Sequence, residues 1–154
     1  MRRFRTRWLS LRDAHAFVAK HHRHHLPAVG GIVALGLWED ERLVGVGVLG
    51  RPVSRQLQHQ GAVEVTRLCV IAPHAASALL GRLRRVAQSL GFVKVVTYIE
   101  SHESGISLGA AGWEQLDIQP AREWSRIKRP RTASRVIPRT RWWVDLRQQQ
   151  ELEV

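Results

Sequence analysis

The sequence predicts an α/β domain in which a mixed sheet is covered by helices. Three features of the chain lead to that class. Two β-branched, apolar runs at residues 32–38 and 43–49 flank the acidic turn Glu39-Asp40-Glu41 and read as a hairpin. Residues 63–71, 75–89 and 92–99 then switch from strand-like to helix-like periodicity and back, a strand-helix-strand unit with an expected right-handed parallel connection. Finally, 154 residues at 44% hydrophobic composition suffice for one core and are too few for two full domains. Residues 1–154 are therefore read as a single domain.

Taken in order, the elements have local causes. Ser10 and Asp13 form a capping pair ahead of a helix over 11–21, with Leu11, Ala14 and Val18 inward. The tract His21-His22-Arg23-His24-His25 follows, and Pro27 stops helical continuation. In the second hairpin strand Gly45 and Gly47 alternate with valines, leaving a nearly bare face that either admits a packed helix or lies under a ligand. Residues 51–61 read as an exposed connection.

The strand over 63–71 is expected to place Glu64, Thr66, Leu68 and Val70 on one face, with Val63, Val65, Arg67, Cys69 and Ile71 on the other. Leu79, Leu83, Val86 and Leu90 give the next helix its apolar stripe, and Gly91 ends it. A strand over 92–99, a short helix over 103–111 and strands near 113–118 and 140–146 complete the expected order. Cys69, the only cysteine, rules out an internal disulfide and a four-cysteine zinc site, and reads as a buried hydrophobe.

Charge is the other strong signal. The chain carries 24 Lys and Arg against 13 Asp and Glu, a net charge of +11. The basic amino terminus is followed by Ser10, Arg12, Asp13 and His15 rather than an apolar run, which points to a cytoplasmic protein. No apolar stretch approaches membrane-spanning length. Arg122, Arg126, Arg129, Arg131 and Arg135 crowd the stretch 120–138 against the single acid Glu123, with Trp124, Trp142 and Trp143 nearby. Arginine grips phosphates and stacks on bases, so this pattern makes nucleic acid a candidate partner. The bland alternative is a solvated basic surface with core tryptophans.

Several words of the sequence carry a family likeness. They are Glu64-Val65-Thr66-Arg67-Leu68-Cys69-Val70, His74-Ala75-Ala76-Ser77, Leu90-Gly91-Phe92, Thr97-Tyr98, and Ser107-Leu108-Gly109-Ala110-Ala111-Gly112-Trp113. The chain resembles the GNAT superfamily of acyl-CoA-dependent N-acyltransferases. Within that superfamily its appearance is nearest to small phage and prophage proteins related to the Mom DNA-modification protein. The resemblance implies a mostly antiparallel sheet whose two central parallel strands splay apart. It implies acetyl-CoA or another acyl-CoA as donor, with the pantetheine beside the backbone of Leu68, Cys69 and Val70. The pyrophosphate would then rest on His74, Ala75, Ala76 and Ser77, where free helix-start amides favour an anion. Two departures stand out. Residues 72–78 lack the superfamily's usual glycines, and Leu108 occupies the position where many members carry a tyrosine acid.

Acyl transfer to an amine needs a base and a donor for the leaving thiolate. Glu64 is the candidate base, because an acid in an apolar strand is costly unless paired or used. A salt bridge with Arg67 is its structural alternative. Tyr98, the only tyrosine, is the candidate acid, and Glu100 is held in reserve. No metal is expected, since the histidine tract lacks a third ligand at a convincing spacing. Three readings follow. The first is an acyltransferase with its acceptor in nucleic acid, DNA above RNA as the resemblance implies, the second a small-amine or protein N-acetyltransferase, and the third a non-catalytic nucleic-acid-binding protein on the same fold.

Overall fold

The computed structural model describes residues 3–21, 30–119 and 138–147. In chain order the elements are β1 (Phe4–Leu9), α1 (Leu11–His21), β2 (Val33–Glu39), β3 (Arg42–Gly50), α2 (Arg55–His59) and β4 (Ala62–Val70). There follow α3 (Ala75–Ser89), β5 (Lys94–Glu100), α4 (Ile106–Ala110), β6 (Glu114–Gln119) and β7 (Arg139–Asp145). The strands form one seven-stranded sheet in the order β1-β2-β3-β4-β5-β7-β6. All neighbours run antiparallel except β4 and β5. The expected mixed α/β class, mostly antiparallel with one parallel pair, is what the chain forms.

Two helices cover each face. Leu79 and Leu83 of α3 and Leu108 of α4 pack with Leu35, Leu37, Val65 and Val95. On the opposite face Ala14 and Val18 of α1 pack with Val46, Val48 and Cys69, while Leu57 of α2 packs with Val96, Tyr98 and Trp143. Gly45 and Gly47 lie under α3. A Cβ on Gly47 would stand 2.6 Å from Leu83 Cδ1, and one on Gly45 would stand 3.5 Å from Leu79 Cδ2. The bare face therefore admits a helix, and fully burying each of these leucines contributes about 2 kcal/mol.

The expected caps form. Ser10 Oγ accepts the Asp13 N–H at 3.1 Å, and Gly91 ends α3 at φ +90° with its N–H donated to Gln88 O. Cys69 is buried, and burial pushes its thiol pKa up. Trp142 enters the large core cluster while Trp143 packs on the α2 side, as alternation on a strand requires. Among the described residues no helix is long and apolar enough to cross a membrane.

Four features depart from the sequence reading. Residues 4–9 form an edge strand where only a basic terminus was read. Phe4, Thr6 and Trp8 alternate with Arg5 and Arg7, and the Arg7 guanidinium lies 5.8 Å over the Trp38 ring. Within the supposed connection 51–61, Ser54 caps the short helix α2 by accepting the Leu57 N–H at 3.3 Å.

The third departure is in β4. Val48 pairs with Arg67 and the next residue, Leu49, with Val65, so Thr66 is an extra residue, a β-bulge. One inserted residue reverses the phase of every side chain beyond it. Glu64 therefore shares a face with Arg67 and Cys69, whereas Leu68 and Val70 join Val63 and Val65 on the α3 side. The expected grouping of Glu64 with Leu68 and Val70 is thus corrected. Fourth, β7, the last strand in the chain, inserts between β5 and β6, a strand order the sequence reading did not address.

Candidate active site

The only parallel pair among the described residues comes apart after three residues. β4 and β5 pair at Ala62 with Lys94, Val63 with Val95 and Glu64 with Val96, and share no ladder beyond that point. The bulge at Thr66 bends β4 along β3, while β5 stays registered on β7 as far as Glu100. At the fork the Thr97 hydroxyl donates to Val65 O at 3.1 Å, a side-chain bond where the next ladder step would have been. Leu68, Cys69 and Val70, the residues the resemblance set beside the pantetheine, lie on the part of β4 that has diverged from β5.

Helix α3 begins at Ala75, shortly after β4 ends at Val70. His74 is the N-cap, in the left-handed conformation at φ 64°, with no side-chain cap on the helix. A left-handed residue is the conformation glycine adopts freely, so His74 performs here the backbone duty of the missing glycine at a cost of about 1 kcal/mol. The Ala75 side chain is fully buried and its N–H donates to Ala72 O at 3.3 Å. Ser77 turns its hydroxyl back onto His74 O at 3.3 Å. The backbone amides of Ala76 and Ser77 sit in the first turn, where a helix offers them no internal acceptor.

Glu64 stands at the fork. It is 9% exposed, and burial raises its carboxyl pKa from 4.5 to about 7. The positive charges of Arg139 and Arg67 and a hydrogen bond from the Val53 N–H oppose that rise without cancelling it. Tyr98 lies on the same face, two residues beyond Val96, the register partner of Glu64. Burial and the Glu64 charge raise its phenol pKa, against a hydrogen bond from Arg141. Arg141 also grips Asp117 through Nε to Oδ1 at 3.0 Å and Nη2 to Oδ2 at 3.2 Å. The sequence-predicted pair Glu64 and Tyr98 is therefore brought together on one face of the fork.

Beside the pair, a shallow depression of about 330 Å³ lies between α2 and the β5, β7 and β6 strands. Ser54, Gln56, Gln60, Lys94, Arg141 and Trp143 line it around Val96. Sequence reasoning missed Arg139, Arg141, Lys94 and the Val53 amide as neighbours of the site. The alternation of Arg139, Arg141 and Trp143 on a closing strand was the available signal for the arginines. Nothing local marks Val53.

Other expectations fall elsewhere. Glu100 is engaged at the end of β5, 3.3 Å from His102 Nε2, with its own N–H on Glu103 Oε2 at 3.1 Å. His21 stacks on Phe17 at 4.5 Å, and the rest of the histidine tract lies outside the described residues. So do Arg122, Arg126, Arg129, Arg131 and Arg135.

No family model and no curated protein matches the sequence. Solved structures do match the fold. The chain is similar to YncA, a putative acetyltransferase from Salmonella typhimurium solved with acetyl-CoA, at 16% identity and a TM-score of 0.65 over 93% of this chain and 94% of that one. It is similar to an acetyltransferase from Bacillus subtilis in complex with CoA, at 14% identity and a TM-score of 0.61 over 93% and 99%. Mutant forms of the spermidine/spermine N-acetyltransferase SpeG from Vibrio cholerae match at 10% identity and a TM-score of 0.70 over 99% and 100%. The chain has the GNAT acetyltransferase fold. The names of these three say nothing of DNA or phage, so the comparisons add nothing to the phage-type likeness. Leu108, which the resemblance set at a tyrosine position, is 4% exposed inside the core cluster, and its side chain offers no proton.

Proposed function

We propose that this protein is an acyl-CoA-dependent N-acyltransferase acting on a small amine or a protein amine, with acetyl-CoA as donor substrate. The observation that carries the reading is a buried carboxyl group with a pKa near neutrality at the fork of the parallel pair β4 and β5. Residues 66–70 of β4 and the uncapped first turn of α3 fit a thioester nucleotide. The diverged strand leaves room for an extended arm, and the Ala76 and Ser77 amides offer donors to a pyrophosphate. The solved relatives with acetyl-CoA and CoA support the choice of donor.

The chain's own groups then have definite tasks. Glu64, ionised above pH of about 7, accepts the proton of the attacking amine directly or through a water. The amine nitrogen bonds to the thioester carbonyl carbon, the carbon–sulfur bond breaks, and the electron pair leaves on sulfur. Tyr98, kept protonated by its raised pKa, donates its phenolic proton to that thiolate. Arg141 holds the phenol oxygen, and Arg139 and Arg67 limit how far burial suppresses Glu64 ionisation.

The test is calorimetric titration with acetyl-CoA followed by thiol release in the presence of amines. Binding with amine-dependent thiol release supports the proposal, and absence of acetyl-CoA binding overturns it. A nucleic-acid acceptor is the second reading, favoured by the net charge of +11. Its test is mass spectrometry of digested nucleosides after incubation with acetyl-CoA and DNA or RNA.

A further inference from the structure

We infer that the acceptor is a compact amine that also carries an anionic group, a carboxylate or a phosphate, seated in the depression beside Glu64. The inference rests on the transferase reading and narrows it to a substrate class.

Among the described residues, the lining of the depression contains two cations, Lys94 and Arg141, and no carboxylate. Its other polar groups, Ser54, Gln56 and Gln60, are neutral. Lys94 Nζ donates to the Gln60 amide oxygen at 2.7 Å and lies 5.6 Å from the Trp143 ring centroid, so the hydrogen bond that holds it goes to a neutral partner. Asp145, its neighbour across the strand pair, feels the Lys94 charge but hydrogen-bonds Arg147, whose own cation offsets it. Arg141 does meet a carboxylate, Asp117, but that group is outside the lining and is 45% exposed. The pocket surface thus keeps a positive excess, and a partly dehydrated cation pair favours an anion.

The depression is also joined to the chemistry. Val96 lies in its lining and is the register partner of Glu64. Ser54 follows Val53, whose N–H bonds the Glu64 carboxylate, and Arg141 bonds Tyr98. Lys94 is two residues from Val96 on β5, about 7 Å along the strand. An acceptor with its amine at Glu64 and its anion at Lys94 or Arg141 is therefore small, in keeping with a volume of about 330 Å³. A polyamine bound the same way would set a second ammonium against two cations. On this geometry the chain does not share the acceptor named for its structural neighbour SpeG.

The experiment is thiol release from acetyl-CoA with paired probes. The anionic set is the L-amino acids and O-phosphoethanolamine. The comparison set is the amino acid carboxamides, ethanolamine and spermidine. At least one anionic probe is expected to exceed its uncharged partner and spermidine tenfold or more in kcat/KM, with the ratio shrinking as salt is raised. Lys94→Met is expected to raise KM for that probe at least tenfold and to remove the preference, and Lys94→Arg to restore it. Equal or better turnover of the uncharged probes or spermidine overturns the inference. So does acylation of DNA with none of the small probes used, or a protein that binds acetyl-CoA and turns over no probe. Failure to bind acetyl-CoA would instead remove the transferase reading itself.

Discussion

The two faces of the sheet are built to opposite ends at β4. On the α3 side the packing is apolar and tight, with Leu79 and Leu83 seated over Gly45 and Gly47. On the α1 and α2 side the same strand carries Glu64 and Arg67, joined by Tyr98, Arg139 and Arg141 from β5 and β7. One face stabilises the fold. The other holds a carboxyl group that burial keeps out of its ordinary range, so the molecule gives up stability where it gains a proton acceptor.

The packed face breaks with the largest expected effect. Leu83→Ala should cost about 3 kcal/mol in denaturant unfolding, from lost transfer energy and the cavity over Gly47. Gly47→Ala should also destabilise, since its new Cβ meets Leu83 Cδ1 at 2.6 Å. Combined, the two should cost less than their sum, because the added methyl enters the space the leucine leaves.

On the polar face Glu64→Gln should lower kcat about a hundredfold while acetyl-CoA affinity measured by calorimetry stays near wild type. The same substitution sharpens the comparison of faces through stability. Glu64 has a folded pKa of about 7 against 4.5, so between those values the native state holds more protons than the unfolded chain. Stability therefore falls as pH rises from 4.5 to about 7, by up to about 3 kcal/mol. Glu64→Gln should be more stable than wild type at pH 8 and should lose that part of the pH dependence in thermal melts.

Wild-type kcat/KM should rise with pH up to about 7 through Glu64 ionisation, and that inflection should vanish in Glu64→Gln. Tyr98→Phe should slow turnover about tenfold without moving the inflection far, as loss of one proton donor implies. The smallest effect is at the helix start. His74→Gly should stabilise by up to about 1 kcal/mol in denaturant melts by relieving the left-handed φ of 64°.

The parts of this architecture legible in the sequence were those whose cause is local. The hairpin, the Ser10 cap, the apolar stripe of α3 and the Gly91 stop each lie within one short stretch. Glu64 stood out because an acid interrupts an apolar strand, and it is indeed buried there. What the sequence hid depends on partners far along the chain. The bulge at Thr66 appears only when β4 is laid against β3, and it reverses the side on which Leu68 and Val70 point. β1 was masked by its arginines, which an edge strand tolerates because one of its sides stays in water. Arg139 and the Val53 amide reach Glu64 from opposite flanks of the chain, and no local pattern announces such a meeting.

The placement of β7 between β5 and β6 has a consequence for how the molecule comes together. β6 precedes β7 in the chain, yet β7 is its one strand neighbour among the described residues, and β7 is also the neighbour of β5 on that side. The strand that locks the sheet also delivers Arg139 and Arg141 to Glu64 and Tyr98. Under the proposed function, a chain whose β7 has not docked lacks both a complete sheet and the two arginines that stand beside Glu64 and Tyr98.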